Sequence, residues 1–189
     1  MAWTDMVTCL ADCLARLEVS NGSGPMDVEA GFKHLCHASR ELKRRNGTIF
    51  LVGNGASASM ASHVAADLAK NAHIRTEVFS DLALITAVAN DIGYDQVFAE
   101  PLRRRMQPGD MLVGISSSGN SPNVVNAAAM ARELGGEVVT LTAMEPGNRL
   151  RQAGGLNFYL PGGTYGLAES GHAAVLHHWI DMMVADCQG

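Results

Sequence analysis

The stretch Gly114-Ile-Ser-Ser-Ser-Gly-Asn-Ser-Pro122 constrains this chain more than any other. Before it stands the short apolar run Met111-Leu-Val-Gly-Ile115, which reads as a buried strand. After it comes Asn123 to Leu134, with the spacing of a helix. A strand that ends in four serines and a glycine and then enters a helix gathers hydroxyls and backbone N–H groups at one point. The helix N-terminus adds partial positive charge there, so a phosphate monoester is a natural guest. The loop holds no lysine or arginine, so hydroxyl and amide donors must do the recognising. The bland alternative is a serine-rich turn in which Ser121 is an ordinary N-cap.

The rest of the chain alternates strands with helices. Helices are expected from Thr4 to about Leu17 and from about Asp27 to Arg45, with Asn21 to Pro25 as a loop between them. These two form an N-terminal helix hairpin placed to cover a neighbouring subunit. Thr48 to Val52 reads as the first strand, and its continuous apolarity suits a parallel sheet buried on both faces. It ends in Gly53-Asn-Gly-Ala-Ser57, ahead of a helix from Ser59 to about Lys70. Further strands are expected at Glu77–Phe79, Glu137–Thr142 and Leu156–Leu160. Helices are expected near Leu82–Ala89, Gln96–Met106, Leu150–Ala153 and Glu169–Ala185. This pattern predicts an α/β fold, a three-layer doubly wound parallel sheet. We read one domain over residues 1–189, with helices in 1–46 and the α/β core in 47–189. In such sheets ligands sit beyond the carboxyl ends of the strands, where strand order reverses. The loops 53–57 and 116–121 both follow strands, so both belong on that edge.

Composition narrows the partners. A net charge of -5, with basic runs only at 43–45 and 103–105, argues against binding nucleic acid by phosphate neutralisation. The glycine turn lacks both the dinucleotide spacing and the phosphate-loop lysine, so no nucleotide cofactor is expected. Cys9, Cys13, Cys36 and Cys187 follow no paired motif and read as free thiols, which suits a cytoplasmic protein. No apolar run is long enough to span a bilayer, and no membrane association is expected.

Two helices carry candidate chemistry. His63 and Asp67 stand four apart, so both face one side of their helix. They could act as a base and its orienter, as two ligands of a divalent metal, or as a plain surface pair. On the last helix, Glu169 and His177 are two turns apart, roughly 12 Å along a straight axis. They can share one small ion only if the helix starts after Glu169 or bends at Gly171. His177 and His178 point about 100° apart, so at most one faces a given site.

Taken together, Gly53-Asn-Gly-Ala-Ser57, His63 with an acid at 67, Asn90-Asp91, Gly114-Ile-Ser-Ser-Ser-Gly-Asn-Ser121, Glu169 and His177 resemble the sugar-isomerase (SIS) domain. Within it the chain is most similar to the phosphoheptose isomerases, which interconvert sedoheptulose 7-phosphate and glycero-manno-heptose 7-phosphate. The resemblance implies a homotetramer with active sites at subunit interfaces and a phosphorylated sugar as substrate. It assigns Ser116, Ser117, Ser118 and Ser121 to the phosphate, Asn54, Ser57 and Glu169 to substrate contacts, and Asp91 to the vicinity of the sugar. Asp67 and His177 match the family's acid/base pair. His63, Asp67, Glu169 and His177 match the zinc ligands of some members. The chain departs from the family in three ways. It has Asp67 where glutamate is usual and Ala66 where a second acid is usual, Glu169 in place of glutamine, and a shorter connection from Lys70 to Phe79. These departures leave room for a different sugar phosphate, or for a phosphosugar-binding regulator or protein-interaction member without catalysis.

Overall fold

The structure is a computed structural model that describes residues 2–185. Cys187 lies outside them. Five parallel strands form the centre: β3 (Thr48–Gly53), β4 (Arg75–Val78), β5 (Met111–Ser116), β6 (Glu137–Ala143) and β7 (Leu156–Leu160). Their order is β7-β6-β5-β3-β4, so the direction of winding reverses between β3 and β5. These are the two strands whose following loops were singled out in the sequence. The doubly wound expectation holds.

Each strand is apolar on both sides because both sides are covered. Along β3, Ile49 and Leu51 face one helical layer while Phe50 and Val52 face the other. Along β5, Met111, Val113 and Ile115 join the first layer and Leu112 the second. The first layer holds α1 (Trp3–Ala15), α2 (Val28–Arg44), α3 (Ala56–Asn71) and α8 (Tyr165–Ala185). The second holds α4 (Leu82–Asp91), α5 (Ala99–Arg105), α6 (Pro122–Glu133) and α7 (Arg149–Ala153). Trp179 of α8 and Phe158 of β7 are among the largest fully buried side chains, so the last helix is anchored deep in the first layer.

The N-terminus differs from the expected helix hairpin. Residues expected as a loop form β1 (Glu18–Asn21) and β2 (Gly24–Met26), an antiparallel pair between the two helices. β1 also pairs antiparallel with β7, with Val19 opposite Phe158, and extends the sheet to seven strands. The turn is two residues, Gly22-Ser23, between paired Asn21 and Gly24. Pro25 fits because β2 is the outermost strand and needs no donor on its free side. The helices themselves lie against their own chain: α1 and α2 both pack on α8.

Candidate active site

The serine loop is held in shape by its neighbours. The Ser117 carbonyl accepts the Ala143 N–H at 3.1 Å, tying the loop to the end of β6. Gly119 has a φ of +63°, and a Cβ there would lie 2.0 Å from Oδ1 of Asn148, which packs under the turn. Only glycine meets both demands. Ser116 Oγ accepts the Gly119 N–H at 3.2 Å, and Ser118 Oγ accepts the Asn120 N–H at 3.2 Å. Ser121 occupies the N-cap position of α6 yet caps nothing. Its Oγ lies 3.4 Å from Ser116 Oγ. The Ser121 side chain therefore does not cap α6, although its carbonyl accepts the Val124 and Val125 N–H groups.

The glycine turn after β3 closes the other side. A Cβ on Gly53 would stand 2.6 Å from Ser57 Cβ and 3.0 Å from the Ile115 carbonyl oxygen, so glycine lets α3 start tight against β5. That helix begins at Ala56, earlier than the expected Ser59. The result is a cavity of about 160 Å³ lined by Asn54, Ser57, all four serines (Ser116, Ser117, Ser118 and Ser121), Tyr165 and Glu169. No lysine or arginine lines it. The N-termini of α3 and α6 both open onto it, which gives an anion partial positive charge in place of a cation. Tyr165 went unread in the sequence because it sits in a glycine-rich stretch that looked like loop; it is the first residue of α8.

α3 and α8 lie side by side and run the same way from this cavity. One or two turns further along both, a second cavity of about 250 Å³ is lined by Met60, His63, Val64, Leu176 and His177. Here His63 Nε2 stands 3.3 Å from Asp67 Oδ2. The ring of His177 faces that of His63, with centroids 5.4 Å apart. One ligand atom from each of His63, Asp67 and His177 lies within 4.8 Å of the others. Two imidazoles and a carboxylate, half open to solvent, form a donor set that could hold a divalent metal ion. His178 is turned away and packs edge-on against Phe32, with centroids 4.6 Å apart.

Two expected site residues stand apart from the His63–Asp67–His177 cluster within this chain. Glu169 does not join the cluster: α8 starts four residues before it and carries it at the serine cavity. The two-turn spacing from His177 is thereby kept. Asp91 does not reach the serine cavity of its own chain. It ends α4, in the opposite helical layer, is exposed, and lines a separate groove with Glu100, Arg104 and Arg105.

The sequence reading gave no role to Asn123 or Tyr94. The Asn54 and Asn123 side chains form a reciprocal amide pair, both bonds 2.9 Å, and the Tyr94 hydroxyl donates to Asn54 Oδ1 at 3.2 Å. His172 on α8 is 1% exposed, and neither ring nitrogen has a hydrogen-bond partner. Burial pushes its pKa down to about 4, against a smaller opposing effect of the Thr142 backbone. Thr142 Oγ1 and Trp179 Nε1 are likewise buried without partners.

The SIS domain family matches residues 28–143. The phosphoheptose isomerase of Mycobacterium tuberculosis is 39% identical over 140 residues, covering 71% of this chain and 71% of its own. The structure of a phosphoheptose isomerase from Neisseria gonorrhoeae superposes with a TM-score of 0.81 at 26% identity, over 96% of this chain and 94% of that one. One from Francisella tularensis gives 0.80 at 20% identity, over 98% and 100%, a likeness of fold.

Proposed function

The chain belongs to the SIS domain family, and we propose on that premise that it is a phosphoheptose isomerase, converting sedoheptulose 7-phosphate into D-glycero-D-manno-heptose 7-phosphate. The observation that supports this reading is that two separate cavities lie along the same two helices, α3 and α8. The serine cavity and the His63–Asp67–His177 cluster open on the same pair of helices, and Ser57 and His63 are about 9 Å apart along the α3 axis. That separation is comparable with an open-chain seven-carbon sugar that has its phosphate at one end and its carbonyl at the other.

In this reading Ser116, Ser117, Ser118 and Ser121 bind the phosphate with Asn54 and Ser57, and Glu169 accepts hydrogen bonds from sugar hydroxyls. Asp67 and His177 move the protons. One takes a proton from C1 of the ketose, leaving a cis-enediol, and the same proton or one from solvent is delivered to C2. The other carries the hydroxyl proton from O1 to O2, so the bond changes balance without any redox partner. His63 orients Asp67 through their 3.3 Å contact. A zinc ion held by His63, Asp67 and His177 would polarise the substrate oxygens, and it fits the donor set. The reading extends to a cytoplasmic homotetramer in which Asp91 of one subunit completes the site of its neighbour.

The test is isomerisation of sedoheptulose 7-phosphate by the wild type and by His177→Ala. Turnover should fall at least about 100-fold, the usual worth of a positioned acid or base. Equal turnover would remove His177 from the mechanism. Phosphosugar binding without turnover by the wild type, over a broad substrate panel, would leave a binding protein instead.

A further inference from the structure

The amide pair between Asn54 and Asn123 fixes something the serine loop cannot fix for itself. A neutral amide offers an anion either a donor or an acceptor, depending on which way it is turned. Asn54 lines the serine cavity, so its orientation decides whether a phosphate meets an N–H or a carbonyl oxygen there.

The orientation traces back to the main chain. The N–H of Val124 donates to Asn123 Oδ1 at 3.0 Å. An amide N–H cannot donate to an NH₂ group, so this contact settles which end of Asn123 is oxygen. Asn123 is 2% exposed and lies in the first turn of α6, so it has no room to turn about. Its Nδ2 must then donate to Asn54 Oδ1, and its Oδ1 must accept from Asn54 Nδ2, both at 2.9 Å. The Tyr94 hydroxyl donates a second bond to the same Asn54 oxygen. That oxygen is thereby occupied twice, while one N–H of Asn54 takes no partner among the described residues.

We propose that Asn123 is a positioning residue, which locks the Asn54 amide so that its free N–H, and never its oxygen, meets the substrate's phosphate. Tyr94 completes the lock from the other side. This deepens the phosphosugar reading and rests on the serine cavity being the phosphate site. In a chain with no cation in its anion site, one amide turned the wrong way replaces an attraction by a repulsion, so the lock matters more here than beside an arginine.

The experiment compares competitive inhibition by inorganic phosphate, together with KM and kcat, in the wild type, Asn123→Leu and Ser118→Ala. Asn123→Leu keeps the branching and the number of side-chain heavy atoms but frees Asn54 to turn. It should raise the phosphate inhibition constant and KM by roughly tenfold, the loss expected for one bond to a charged group, while kcat changes much less. A shift with Ser118→Ala and none with Asn123→Leu overturns the lock and leaves the phosphate site standing. No shift with either overturns the phosphate site as well. Should Asn123→Leu fail to fold, a crystal structure of the wild type with inorganic phosphate decides the matter. Asn54 Nδ2 within hydrogen-bond distance of a phosphate oxygen, with the amide pair intact, supports the lock. Asn54 Oδ1 facing the phosphate, or the pair broken, overturns it.

Discussion

Glu169 is the sole charged side chain among those lining the serine cavity, and its charge opposes the guest proposed there. Where a cavity relies on hydroxyls and helix ends, a nearby carboxylate weakens phosphate binding by simple Coulomb repulsion. Glu169→Gln should therefore bind inorganic phosphate more tightly, on the order of fivefold, and the gain should shrink as salt screens the partly open site. Titration calorimetry at two ionic strengths measures both effects; unchanged affinity would mean that Glu169 is turned away from the phosphate. Residues such as this differ in how readable they are. His63 and Asp67 were legible because four residues of helix fix their contact covalently, and His178 could be set against His177 by the same geometry. Glu169 could be placed two turns from His177 but not assigned to a cavity, because that depends on where α8 starts. Asn123 gave no signal at all. Its partner lies 69 residues away and meets it only through the pairing of β3 with β5.

Elements were more legible than residues wherever burial on both faces imposed continuous apolarity, as in β3, β5, β6 and β7. The β1–β2 hairpin escaped because its strands are four and three residues long and lie at the sheet's edge, where alternation has little to act on. The loop that closes β5 is constrained as an element. Gly119→Ala adds a strained φ and a collision with Asn148, so phosphate binding should fall by at least about tenfold while the sheet survives. Circular dichroism alongside phosphate binding checks both halves of that statement. The packing of α8 on β6 should be sensitive to acid. Burial holds the His172 pKa down to about 4 against the ordinary imidazole value of 6.5, so between these values the unfolded chain binds a proton that the native one refuses. Its contribution to stability is complete above about pH 6.5 and is lost as pH falls towards 4, a change of roughly 3 kcal/mol. Denaturant midpoints at pH 7 and pH 5 should separate in the wild type and converge in His172→Phe. Equal separation in both would assign the acid sensitivity to other groups.

At the scale of the whole molecule, several large apolar side chains stand exposed. Trp3 on α1 and Leu82 on α4 are each 74% exposed, Ile92 just beyond α4 is 57% exposed, and Tyr165 at the mouth of the serine cavity is 64% exposed. α4 is apolar on nearly every side, yet Val88 is its one buried residue. An apolar helix left open on a folded chain marks a contact surface, and this one ends at Asp91, the predicted site residue that its own cavity does not contain. In the homotetramer proposed above, Asp91 of one subunit would enter the site of its neighbour. Such sharing can be tested by complementation. Asp91→Ala and Ser118→Ala should each lose most activity, but subunits of the two variants mixed before assembly should regain it. Each site would then draw Asp91 from one chain and its serines from another, so about a quarter of the sites in a random mixture would be intact. If each chain supplied its own Asp91, every site would carry one lesion, and the mixture would be no more active than its parents.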